Sequence, residues 1–216
     1  MKIRIDLKIF IFLILFYLTK QIEIYAAIMM FCIIHEIGHM VAGFILGMFP
    51  EKLEIMPYGV SISFKERKNG ENKENKISDL FEIKKIIIAL AGPLVNLIII
   101  LFTYKLNNGF ILERETIIYS NLLILMFNLL PIYPLDGGRI LKGMLYITCD
   151  KEEKYINKIS NIVVILFTVF SSICTYYYKN IAFFIITIFL WILVIRENKK
   201  YKLKNRITKI LVKNKN

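Results

Sequence analysis

Hydrophobic and polar positions are segregated along this chain in blocks rather than at short intervals. Apolar runs cover roughly Ile9 to Leu18, Tyr25 to Met48, Ile86 to Tyr104, Thr116 to Leu130, Ile159 to Tyr178 and Ile181 to Ile195. Crossing a hydrocarbon layer of about 30 Å takes roughly 20 helical residues, and most of these runs reach or approach that length. The pattern predicts an α-helical membrane protein with about six transmembrane helices. The first run is short, lying between Lys8 and Lys20, and no small-residue cleavage site follows Leu18, so it is read as a retained helix rather than a signal peptide. Between the second and third runs, Leu53 to Phe64 alternates with period two around Pro57-Tyr58-Gly59. This predicts a short membrane-associated β-hairpin. Lys65 to Asp79 is polar and reads as a loop. The prediction is one polytopic domain over residues 1–195, then a basic cytoplasmic tail over 196–216, within which Tyr201 to Val212 has amphipathic helical spacing.

Charge then sets the orientation. The chain carries 29 Lys and Arg against 17 Asp and Glu, and basic residues are retained on the cytoplasmic side of a span. With the N-terminus inside, only Lys20, Lys105, Arg114 and Lys179 fall on the far side. Both termini are therefore expected in the cytoplasm. The net charge of +12 is explained by this topology and by attraction to anionic lipid, so nucleic acid is not expected as a partner. Cys32, Cys149 and Cys174 are widely spaced without a CxxC pair, which indicates no disulfide framework. Cys32, one turn before His35, reads as a small apolar filler.

The candidate chemistry lies inside the second run, at His35-Glu36-Ile37-Gly38-His39. Residues four apart share a helix face, so both imidazoles can meet one Zn2+ ion. Glu36 is then placed beside the metal's open position, as an acid/base for bound water. The chain has 2 histidines, both in this motif, and ionisable side chains within an apolar span are costly enough to need a function, on the order of 3 kcal/mol each. A third protein ligand must be a carboxylate or thiolate. The best candidate is Asp136, in the stretch Asn128 to Arg139, whose Pro131, Pro134, Gly137 and Gly138 break a helix and suit a segment lining a polar cavity. A capping aspartate in a turn is the plain alternative for Asp136 alone. Asn128 offers an amide donor to substrate or to a developing oxyanion.

These residues, with Ala91-Gly92-Pro93-Leu94-Val95-Asn96 in the third run and Leu135-Asp136-Gly137-Gly138, resemble the site-2 proteases, zinc intramembrane metalloproteases. Asn128 to Gly138 and Met56 to Gly59 look most like the bacterial stage IV sporulation branch, which processes a membrane-bound precursor of a sigma factor. The resemblance implies one zinc ion held by His35, His39 and Asp136, Glu36 as acid/base, a membrane-bound protein substrate in the lipid bilayer, and a regulatory membrane protein as partner. Members of that branch typically continue into a nucleotide-sensing domain where this chain has a short basic tail, a departure that leaves nucleotide regulation, and with it the assignment to sporulation, outside what the resemblance carries over. A zinc-binding membrane scaffold without proteolytic activity is the rival, although it would have no use for Glu36.

Overall fold

The computed structural model describes residues 2–5, scattered positions from 7 to 20, and residues 22–56, 59–64, 75–105, 112–149, 152–179 and 182–213. Half of the expected first span (residues 9, 11, 12, 15 and 16) and most of the Lys65 to Asp79 loop lie outside them, as do Pro57 and Tyr58 of the expected turn. The elements in order are β1 (Lys2–Ile5), α1 (Ile22–Ile45), β2 (Pro50–Met56), β3 (Gly59–Phe64), α2 (Asn75–Lys105), α3 (Arg114–Asn128), α4 (Asp136–Thr148), α5 (Glu152–Tyr178) and α6 (Ala182–Lys213). They fall into two compact units, Met1–Leu129 and Leu130–Asn216.

In the first unit α1 packs against both α2 and α3, which also pack on each other. Ala27 and Phe31 of α1 and Ile117 and Ile124 of α3 form a buried cluster, with Cys32 half-buried against it, the place of an apolar filler. The opposite faces leave Ile98, Leu101 and Phe102 exposed, which suits a hydrocarbon solvent and would be costly in water. Helix α1 stops where glycine permits a left-handed turn. Gly47 has φ +73°, the amide of Met48 donates to the Gly43 carbonyl at 2.8 Å, and that of Gly47 to Phe44 at 3.1 Å, the paired bonds of a Schellman cap. The Lys84 ammonium donates to the Leu46 carbonyl at 2.9 Å, placing a cation at the negative end of α1. Strands β2 and β3 pair antiparallel, and β1 adds to β2 in parallel, giving the order β1-β2-β3. The N-terminal strand was not anticipated, since two of its four residues are charged and the alternation is too short to read.

In the second unit α5 packs between α4 and α6 around buried Ile156, Val164, Leu190 and Val194. The Trp191 indole donates to Thr168 Oγ1 at 3.0 Å and the Asn198 amide to Asn161 Oδ1 at 2.9 Å, polar ties that pair the two helices along their length. Three described helices are long and apolar enough to cross a membrane: Ile22–Ile45, Asp79–Lys105 and Glu152–Tyr177. Several helices extend past their apolar runs. Helix α2 begins at Asn75, well before Ile86, because Lys, Glu, Ile and Leu are good or tolerable helix formers whether or not they face lipid. The expected helix break is confined to residues 129–135. A new helix, α4, starts at Asp136 and takes both glycines into its first turn, where backbone amides need no intrahelical partner.

Candidate metal centre

His35 and His39 lie one turn apart on α1, and both are 2% exposed. Their rings meet edge to face with centroids 4.7 Å apart, and their Nε2 atoms are 3.1 Å from each other. What allows two imidazoles to fit here is the crossing of α1 over α2. A Cβ on Gly92 would overlap His39 Nε2 and lie 2.6 Å from His35 Nε2, and one on Gly38 would lie 2.8 Å from Val95 Cγ2 and 3.1 Å from the Ala91 carbonyl oxygen. The two glycines therefore let the backbones approach and leave the space between them to the histidine rings.

Each histidine is anchored through Nδ1. His39 Nδ1 lies 2.6 Å from the Ile88 carbonyl oxygen, which can only accept, so Nδ1 carries the proton. The Gly92 amide also approaches that nitrogen at 3.3 Å, but the two contacts cannot both be hydrogen bonds to a neutral ring, and the shorter one to an obligate acceptor decides the tautomer. Pro93 sits inside α2. It has no amide proton for the Ala89 carbonyl four residues back and its ring crowds that turn, next to the Ile88 carbonyl that accepts from His39. His35 Nδ1 lies 2.5 Å from Asn96 Oδ1. Asn96 in turn donates through Nδ2 to Asn121 Oδ1 at 2.8 Å, and Asn121 donates to the Ile117 carbonyl at 2.8 Å.

Both rings therefore present Nε2 as an acceptor, and two acceptors facing each other across 3.1 Å repel unless a cation or proton lies between them. Two imidazole nitrogens on one tetrahedral zinc, each at about 2.0–2.1 Å, stand roughly 3.3 Å apart. Donor type, tautomer and spacing thus fit zinc without rearrangement. Glu36, next to His35, is half-buried.

Asp136 is buried at 4% exposure and opens α4, with Leu135 as the cap residue. A carboxylate in the first turn is favoured by the helix dipole, and Arg139 Nη1 stands 3.8 Å from Asp136 Oδ1. The segment leading to it is irregular and tightly held. Ile132 is fully buried, its amide donating to the Leu130 carbonyl at 2.7 Å; Leu135 donates to Ile132 at 2.8 Å; Tyr133–Pro134 is cis. The Tyr133 amide donates to Ser160 Oγ of α5 at 3.4 Å. Asn128 ends α3, half-buried, two turns past Asn121. Gly92, Asn96 and Asn121 carry no role in the reading of the sequence. The two asparagines had a signal there, since an uncharged amide inside an apolar span also needs a partner.

Helices long and apolar enough to cross a membrane, one of them carrying the His35-Glu36-x-x-His39 pattern, mark the class: an integral membrane protein with a candidate metallopeptidase centre. Comparison with known proteins gives the family. The model of Peptidase family M50 matches residues 106–171. Stage IV sporulation protein FB of Bacillus subtilis is 26% identical over 144 residues, 65% of this chain and 46% of that protein. Zinc metalloprotease MJ0392 of Methanocaldococcus jannaschii is 30% identical over 172 residues, 74% of this chain and 44% of that protein. The solved structure of the site-2 protease from Methanocaldococcus jannaschii shares the fold, with a TM-score of 0.63 at 20% identity over 90% of this chain and 89% of that one. The chain carries a peptidase family M50 domain, the domain of the site-2 proteases. It spans less than half the length of the two curated relatives.

Proposed function

We propose that this protein is a zinc-dependent endopeptidase that cuts a membrane-associated protein substrate within or beside its transmembrane segment. The observation that carries the reading is the pair of buried imidazoles on α1, both held with Nδ1 protonated and Nε2 3.1 Å apart. His35 and His39 supply two ligands to one ion, and the buried carboxylate of Asp136 supplies the third. A zinc ion held by these three residues would supply Lewis-acid chemistry, polarising the scissile carbonyl and acidifying a water to a pKa of about 7. Glu36 takes the proton of that water and returns it to the leaving amine. Asn128 donates a hydrogen bond to the oxygen that gains charge.

A substrate helix satisfies its own backbone hydrogen bonds and must unwind before its carbonyl can be reached. The β2–β3 pair supports a template for that step. β3 pairs with β2 on one side, and its other edge suits an extended substrate strand that would add by backbone hydrogen bonding. The chain crosses the membrane several times with both termini in the cytoplasm, as the distribution of its 29 Lys and Arg argues. A single-span precursor of the sigma-factor kind is the first substrate to assay, and a regulatory membrane protein is the expected partner.

The test is purified protein reconstituted with such a substrate, as wild type and as Glu36→Gln. The variant is expected to bind zinc as the wild type does and to lose cleavage. Cleavage at the wild-type rate in that variant, or in wild type stripped of metal by a chelator, would refute the reading.

A further inference from the structure

The two histidines reach the same tautomer by different means. His39 is tied directly to the Ile88 backbone carbonyl. His35 is tied to a carbonyl only through two side chains, both 0% exposed. The polarity of this relay is set at its far end. The Ile117 carbonyl can only accept, so Asn121 must point its amide nitrogen there, at 2.8 Å. Asn121 Oδ1 is then the face left for Asn96, whose own amide nitrogen donates to it at 2.8 Å. That turns Asn96 Oδ1 toward His35 and obliges the ring to donate from Nδ1. Reversing either amide sets nitrogen against nitrogen or oxygen against oxygen at a fully buried contact, a loss of roughly 1–3 kcal/mol for each unmet group.

We infer that Asn96 and Asn121 are positioning residues that hold His35 as its Nδ1-protonated tautomer, so that Nε2 remains a lone-pair donor to the metal. Neither residue touches the reacting atoms. Neutral imidazole otherwise exchanges its proton between the two nitrogens, and a ring protonated on Nε2 cannot ligate through it. Partners of a ligating histidine's second nitrogen commonly contribute 10- to 100-fold in metal affinity. In this chain that partner is an amide whose own orientation is dictated from α3, so the third helix of the first unit acts on a ligand of the first. The inference rests on the reading of His35 as a zinc ligand.

The two histidines of this chain make the test direct, because protein labelled with 15N-histidine reports only His35 and His39. In detergent-solubilised, metal-free wild type well above pH about 6.5, where an ordinary imidazole is neutral, both rings are expected protonated on Nδ1. In Asn96→Leu one ring is expected to shift toward Nε2 protonation while the other is unchanged, and zinc affinity by chelator competition to fall 10- to 100-fold. Asn96→Asp, which keeps an acceptor for Nδ1–H, is expected to bind zinc at least tenfold more tightly than Asn96→Leu. Asn121→Leu, which leaves the imidazole's own partner in place, keeps the question answerable should Asn96→Leu not fold. It is expected to lose severalfold, and the double Leu variant to be no weaker than Asn96→Leu, because one relay broken twice is still one relay. An unchanged His35 ring with wild-type zinc affinity in the Leu variants, or losses that multiply in the double variant, overturns the inference while leaving His35 a ligand. Wild-type protein that binds no zinc overturns the reading beneath it instead.

Discussion

The α1–α2 crossing and the segment that leads into α4 both rely on glycine, but for opposite neighbours. At the crossing, a Cβ on Gly92 would collide with the tips of two imidazoles, atoms at the far end of side chains that can rotate away. At the start of α4, a Cβ on Gly138 would collide with the Tyr133 amide nitrogen and the Ile132 carbonyl carbon, backbone that the buried Ile132 and its turn bonds hold in place. The first glycine protects a chemical arrangement within a regular fold, and the second protects the path of the chain itself. Function and stability should therefore separate when the two are mutated.

The largest effect is expected from Gly138→Ala, about 3 kcal/mol of lost stability from forced backbone displacement, read by thermal or denaturant unfolding in detergent. Gly92→Ala should instead cost only about 1 kcal/mol of stability, as the anchored rings yield, and weaken zinc by about 100-fold, near 2.7 kcal/mol, as the histidines turn aside. A Gly92 variant that unfolds as readily as the Gly138 variant would break the comparison. Gly38→Ala is intermediate. Its Cβ meets Val95 Cγ2 at 2.8 Å and the Ala91 carbonyl oxygen at 3.1 Å, one flexible neighbour and one rigid, and the expected cost is about 1–2 kcal/mol, reduced by the better helix propensity of alanine. Ser160→Ala, which removes the 3.4 Å contact from the Tyr133 amide, should cost about 0.5–1 kcal/mol and sharpen how far the irregular segment depends on α5.

Much of this arrangement was legible without coordinates. Tyr25 to Met48 and Ile159 to Tyr178 read as helices because a continuous apolar run of that length has few other uses. His35 and His39 read as a pair because the helical repeat is local and exact enough over one turn to place them together. Asp136 stood out by the prolines and glycines around it. The extents of α2 and α6 were less legible, since polar residues of good helix propensity give no sign of whether a helix continues past the apolar core. The return to helix at Asp136 was hidden for the opposite reason: Gly137 and Gly138, read as breakers, sit where a first turn tolerates them.

By itself the order of residues determined the membrane class and the pairing of the two imidazoles on one face of a helix, because each depends on neighbours within a turn or a span. The tertiary structure decided which nitrogen of each ring is offered, since that rests on the meeting of His35 with Asn96, of Asn96 with Asn121 and of His39 with Ile88. Those partners lie 61, 25 and 49 residues apart, and no local rule relates positions so distant. Only the packing of three helices, two of them meeting at a glycine-narrowed crossing, brings a carbonyl on one of them to bear on an imidazole of another.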